Sequence, residues 1–280
     1  MRPPQIDRTQ GPCNFVACAR GPKDTASLEH ATKLPNPKNG RAFVKVYAKC
    51  GEAVVYPVTS HRKCDRSRKP GGAKDPERTA EVALRRARKI IRQFAKEFRL
   101  RYMWTLTYAG TGEFDIEQVR RHVERLIKAL VNEQGERFPY VWVPELHPGG
   151  HGIHIHMAVP FYIEHEKLMK LWGRGIVDLR DKKPKGAAAA FGGQVAGGYL
   201  SKYLGKAFDE TAFGKHRYER AQGFDITSYR VRRYDMADGV EYAMQIFGCS
   251  PVFQWSSADQ DGWTGPPIEV MFFNCEPPDG

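Results

Sequence analysis

The stretch His151-Gly152-Ile153-His154-Ile155-His156-Met157-Ala158-Val159 constrains this chain more than any other. Its β-branched and apolar residues, opened by glycine, predict a strand. Successive strand side chains point to opposite faces, so His154 and His156 share one. Two imidazoles one strand repeat apart make half of a divalent-metal site. The chain must then supply a third ligand, a nucleophile and a substrate.

The surrounding segments predict an α+β fold with a central antiparallel sheet. Arg41–Tyr47 and Ala53–Val58 read as a hairpin around Cys50-Gly51-Glu52. Residues 1–40 read as an extended arm, and His61 to Lys74 as a basic, glycine-rich linker. Asp75-Pro76 signals a helix start. From there Ala83, Ala87, Ile90, Ile91, Phe94 and Phe98 keep helical spacing, and arginine and lysine fill much of the remaining surface. That helix is expected to dock on a sheet with its basic side outward.

Arg101–Tyr108 reads as a buried strand, in which Trp104 is core. Asp115 caps a second helix, with Gln118 as a capping-box partner, and Val119, Val123, Leu126, Ile127 and Leu130 form its apolar stripe. Tyr140–Glu145 and Gly152–Pro160 are predicted to pair as a hairpin. A short helix follows over Glu164–Trp172, then a strand over Gly175–Leu179 and a helix over Tyr199–Lys206. Strand, helix, strand, strand, helix, strand is a split βαβ plan of ferredoxin-like or RRM-like type. On it the histidine strand is central. Beyond residue 209 the pattern weakens: Tyr229–Arg233 reads as a basic strand and the tail from Ser250 as a Pro/Gly/Asp-rich segment.

Glu145 ends the hairpin partner of the histidine strand. A carboxylate delivered across a hairpin beside two histidines gives a two-His-one-carboxylate set with open positions. Such a set suits Mg²⁺ or Mn²⁺ polarising a phosphoryl oxygen. Tyr199 and Tyr203 are four apart and share a helix face, and Lys202 and Lys206 each follow a tyrosine by three. A phenol with pKa near 10 needs a metal-activated substrate or a nearby cation to act as a nucleophile.

With 44 Lys+Arg against 32 Asp+Glu, the net charge is +12 and the pI about 9.4. That balance favours a polyanionic partner, nucleic acid before membrane. The sequence contains no apolar run long enough for a transmembrane helix and no secretory h-region at its start, so no membrane association and a cytoplasmic location are expected. The six cysteines show no CxxC spacing. Buried or free thiols are the default reading, and zinc held by Cys50, His61 and Cys64 with Cys13 or Cys18 is the alternative.

Taken together, these motifs resemble the HUH endonucleases that initiate rolling-circle replication of plasmids and phages. Trp104-Thr105-Leu106-Thr107-Tyr108 is similar to the family's first motif, and His154-Ile155-His156 to its second. Tyr199 to Lys206 is similar to the third, in the two-tyrosine form of phage gene A-type initiators. The resemblance covers roughly residues 100–208. It implies an HUH nuclease domain over 73–215, preceded by a basic arm and small hairpin region (1–72) and followed by a C-terminal extension (216–280).

The resemblance further implies a metal-dependent, site-specific nickase and strand transferase. His154, His156 and Glu145 would hold the ion. Tyr199 or Tyr203 would attack, leaving a 5′-phosphotyrosine, with Lys202 and Lys206 beside them. Arg85, Arg88, Lys89 and Arg92 of the basic helix, with Arg62 and Lys63 of the linker, would bind an origin hairpin or single strand. No Gly-x-x-x-x-Gly-Lys-Ser/Thr loop is present, so unwinding would fall to a host helicase and synthesis to a host polymerase. The alternatives are a single-strand transposase or relaxase on the same fold, and a non-catalytic DNA-binding regulator.

Overall fold

A computed structural model of the chain describes residues 37–58, 76–147, 149–181, 197, 198, 200, 204 and 218–273. Two five-stranded antiparallel sheets and four helices make up its regular structure among those residues. The chain begins with the expected hairpin, β1 (Ala42–Tyr47) and β2 (Glu52–Pro57), turned by a 3-10 segment at Ala48–Cys50. Helix α1 (Pro76–Glu97) starts at the proline that marked it. Then follow β3 (Tyr102–Leu106), α2 (Ile116–Gln134), β4 (Val141–Leu146), β5 (Ile153–Val159), α3 (His165–Trp172) and β6 (Val177–Asp181). The last part holds β7 (Glu219–Arg220), β8 (Tyr229–Arg233), α4 (Met236–Phe247), β9 (Phe253–Ser256) and β10 (Glu269–Phe272).

One sheet runs β6-β3-β5-β4-β7, with the histidine strand β5 at its centre. The unit β3-α2-β4-β5-α3-β6 follows the predicted strand-helix-strand-strand-helix-strand plan. Alternation divides its residues cleanly. Ile153, Ile155, Met157 and Val159 join Trp104, Leu106 and Trp142 beneath α2 and α3. Met103, Val141, Val143 and Ala158 face the other way, against Ala87, Ile91, Phe94 and Ala95 of α1. Both faces are therefore covered, and Trp104 is core, 1% exposed.

The N-cap of α2 is Asp115, whose carboxylate accepts from the Glu117 N–H at 2.8 Å. Gln118 does not close the predicted capping box: its amide oxygen accepts from Arg121 instead. Glu113 takes that part from the other side, accepting from the Phe114 and Asp115 N–H groups at 2.9 Å. The stripe of α2 is buried as predicted at Val119, Val123, Leu126 and Leu130.

The second sheet runs β8-β1-β2-β10-β9 and joins the early hairpin to strands more than 170 residues later. Helix α4 covers one of its faces through Tyr242, Ala243, Ile246 and Phe247, against Val44, Val46, Ala53, Val55 and Met271. Gly239 permits the approach, since a Cβ there would lie 2.6 Å from Val55 Cγ1. The basic strand at Tyr229–Arg233 forms as expected. The tail from Ser250, read as a Pro/Gly/Asp-rich segment, contains β9 and β10. Among the described residues no helix is long and apolar enough to cross a membrane.

Candidate functional site

Strand parity puts Met103, Thr105, Val143, Glu145, His154 and His156 on the face of the first sheet that also receives α1. In the ladder Glu145 lies opposite His154, and His156 lies between Val143 and Thr105. His156 is 4% exposed. Its ring is held at both nitrogens: Nε2 lies 2.8 Å from Glu145 Oε2, and Nδ1 lies 3.2 Å from Thr105 Oγ1. A buried imidazole with both nitrogens engaged has a fixed ring plane.

His154 is half-buried and stacks on His147, with ring centroids 4.5 Å apart. His147 in turn faces His151 at 5.2 Å, and its Nδ1 accepts from the Gly149 N–H. The β4-β5 turn thus brings two further imidazoles to the strand pair. Burial first, then the neighbouring His147 and His156, push the His154 pKa below its ordinary value, against the opposing pull of Glu145. Its imidazole is accordingly held in the neutral form that can donate a lone pair to a metal.

Two imidazoles and a carboxylate on one sheet face fit a divalent ion in kind. His156 Nε2 and Glu145 Oε2, 2.8 Å apart, have about the spacing of neighbouring ligands on an octahedral ion with bonds of roughly 2.1 Å. As they stand the two groups bond to each other. Among the described residues no three His, Cys, Asp or Glu side chains stand together in ligating geometry. The three predicted ligands therefore share a face without standing together in ligating geometry.

Tyr199, Lys202, Tyr203 and Lys206 lie outside the described residues, as do Arg62 and Lys63. Their immediate neighbours are described. Gly197, Gly198 and Leu200 are helical. Leu200 and Leu204 are fully buried in the core shared by α1, Val141, Val143 and Ala158. Gly197 sits on α1, where a Cβ would meet Arg92 Cα and Ala95 Cβ at 3.0 Å. Gly197, Leu200 and Leu204 are thus anchored on the histidine side of the sheet, a convergence that residue spacing alone did not supply.

The basic helix splits its cations between two duties. Arg85 is exposed and pairs with Glu81 one turn earlier. Arg88 is half-buried and has no ion pair among the described residues. Lys89 and Arg92 reach Glu52 of β2, whose side chain is 1% exposed, at 3.0 and 3.2 Å. Those two cations neutralise a buried carboxylate in the second sheet. The pattern of basic residues in the sequence carried no sign of that partner.

Cys50 is buried, and its thiol donates to the Gln93 carbonyl at 3.3 Å. Burial, then the Glu97 and Glu52 carboxylates, raise its pKa to about 12. In this environment the Cys50 thiol stays protonated. Cys13, Cys18, His61 and Cys64 lie outside the described residues.

Residues 101–208 match the family model of the replication-associated proteins of ORF2 and gene-2-protein type. That range runs from β3 to just past the two buried leucines, and it includes every predicted metal ligand and tyrosine. The match supports a replication-associated role and suggests that of an initiator. No curated protein and no solved structure matches the chain.

Proposed function

We propose that this chain is a rolling-circle replication initiator of HUH type. It nicks and rejoins single-stranded origin DNA through a 5′-phosphotyrosine. The observation that carries this reading is convergence on one sheet face. Glu145, His156 and His154 lie on the same side as Leu200 and Leu204, which bracket Lys202 and Tyr203, and Leu200 directly follows Tyr199. The matched range, 101–208, covers the same residues.

In this mechanism His154, His156 and Glu145 would hold a divalent ion, which when bound would polarise the scissile phosphate and offset its charge. Two imidazoles favour Mn²⁺ over the oxygen-preferring Mg²⁺. Thr105, bonded to the far nitrogen of His156, fixes the ring so that Nε2 faces the ligand position. Tyr199 or Tyr203 loses its phenolic proton and attacks phosphorus. The P–O3′ bond breaks, the 3′-oxygen takes up a proton, and the strand is left with a free 3′-OH and a 5′-phosphotyrosine. Lys202 and Lys206 stabilise the phenolate and the phosphate. The freed 3′-OH later attacks the phosphotyrosine and rejoins the strand. Host helicase and polymerase act on the exposed strand.

The test is incubation with labelled single strands tiling the replicon's origin, with Mn²⁺ or EDTA, resolved on a denaturing gel. Wild type should give a covalent adduct in Mn²⁺ only. Y199F and Y203F identify the attacking residue, and the double variant should give none. Tight, salt-sensitive binding without an adduct under any metal would replace this proposal with a non-catalytic regulator.

A further inference from the structure

The second sheet has one face beneath α4. Its other face is touched by α1 at the Tyr47–Glu52 end and is otherwise covered by no described helix. Alternation along its strands sorts the residues between them. The face away from α4 carries Phe43 and Lys45 of β1, Tyr56 of β2, Arg230 and Arg232 of β8, and Trp255 of β9. Phe253 and Phe272, paired across β9 and β10, lie on it as well, with Val54 of β2 and Val270 of β10 between the aromatic and basic residues. All of these residues are half-buried or exposed, and Phe253 is 56% exposed. Every strand contributes an aromatic or basic residue to this face.

Among the described strand residues, the charge left unneutralised on this face has one sign. Its one carboxylate among the described strand residues, Glu52, is buried and neutralised by Lys89 and Arg92 of α1. The guanidinium groups of Arg230 and Arg232 lie over the Phe43 ring, at 4.5 and 5.0 Å from its centroid. Arg92 lies over Phe272 at 4.9 Å, and Lys89 over Tyr47 at 5.2 Å. Rings orient the cations, and the cations leave the face positive. Aromatic rings interleaved with arginine on an open antiparallel sheet are the chemistry that stacks unpaired bases and tracks a phosphate backbone.

We propose that the open face of the second sheet is a binding platform for single-stranded nucleic acid. Arg92 and Lys89 sit at its edge on α1, the same helix that packs on the histidine face of the first sheet. A strand bound on the platform therefore leads along α1 toward the proposed nicking site. The inference rests on the proposed function and deepens it by placing its DNA, and it lies outside residues 101–208, where the family match runs. Its occupant is sequence-tolerant: stacking and cation contacts read the unpaired state of the strand rather than its letters.

The experiment is fluorescence anisotropy of the full chain with labelled oligothymidine in EDTA, where no metal-dependent cleavage intervenes. Wild type should bind. F253A, changed at an exposed ring, should weaken binding roughly tenfold, as loss of one stacked base does. R230E should weaken it further and flatten its salt dependence. Thermal midpoints measured alongside should stay near wild type for both variants. Affinity unchanged in both variants would overturn the platform, as would no binding by the folded wild type. A wild-type dimer that F253A converts to monomer, without change in DNA affinity per chain, would instead assign this face to a second copy. Nicking is read separately: platform binding without any Mn²⁺-dependent adduct sinks the nickase reading and leaves the platform standing.

Discussion

At the scale of single residues, His156 shows how little of a site is set by its two ring nitrogens alone. Its burial, its bond to Glu145 and its bond to Thr105 together leave one ring orientation. Thr105 is the residue that a search for ligands passes over, because threonine is not one. A partner on the far nitrogen of a metal-bound histidine typically contributes 10- to 100-fold in metal affinity, about 1.4–2.7 kcal/mol. T105V keeps the β-branch and removes the hydroxyl, so Mn²⁺ affinity by titration calorimetry should fall by roughly that factor with little change in thermal midpoint. Equal affinities for wild type and T105V would remove Thr105 from the mechanism. The signal for it was present in the sequence, since strand alternation puts Thr105 and Met103 on one face and Trp104 on the other.

At the scale of elements, α4 is the helix that sequence reading missed, although its end signals are plain. Asp235 caps it by accepting from the Asp238 N–H at 3.0 Å, and Gly248 ends it in the left-handed region. Glycine inside the helix, at 239, weakens the propensity argument; packing against Val44 and Val55 outweighs it. Asp238 then binds the helix to β8, accepting from Arg233 at 2.5 Å and from the Tyr234 N–H at 2.8 Å. Burial alone would raise the Asp238 pKa, but these two hydrogen bonds prevail and hold it below the ordinary value. A lowered folded pKa contributes stability above the unfolded value of about 3.9 and loses it as pH falls through the folded one. D238N should therefore lower the thermal midpoint at pH 7, by an amount matching about 1–3 kcal/mol for hydrogen bonds to charged groups. The gap from wild type should close below roughly pH 4. Thermal melts at pH 3 and pH 7 decide it; a gap of equal size at both would show that the carboxylate's charge is not what matters.

At the scale of the whole molecule, α1 joins the two sheets. One side buries Ile91, Phe94 and Ala95 against the histidine sheet. Another sends Lys89 and Arg92 to Glu52, and Lys96 to the Cys50 carbonyl at 2.8 Å. Lys89 approaches Glu52 as an ion pair by distance, whereas Arg92 also makes a hydrogen bond to it. Removing one member of a buried pair typically costs about 3–5 kcal/mol. Lys89 and Arg92 keep about a third of their surface in water, so a loss of roughly 1–3 kcal/mol is expected for E52Q, which retains the shape. Urea unfolding measures it. A midpoint unchanged from wild type would mean that the sheets are held together without this cluster.

The sequence by itself determined four of the five strands of the first sheet, all but the two-residue β7 at Glu219–Arg220. Period-two alternation, a proline start, an aspartate cap and short connections fixed its elements, and parity fixed that His154 and His156 share a face. It also supplied the residue types for the chemistry, from the Glu145 carboxylate to the tyrosine-lysine repeat. Only the tertiary structure decided what those types do. Lys89 and Arg92 meet a buried glutamate from a distant strand, a partner that charge in a helix pattern does not reveal. The assembly of the second sheet was equally hidden, although its β1-β2 hairpin and its β8 strand were legible. Its pairings span most of the chain, and long-range pairing leaves no local periodicity to read.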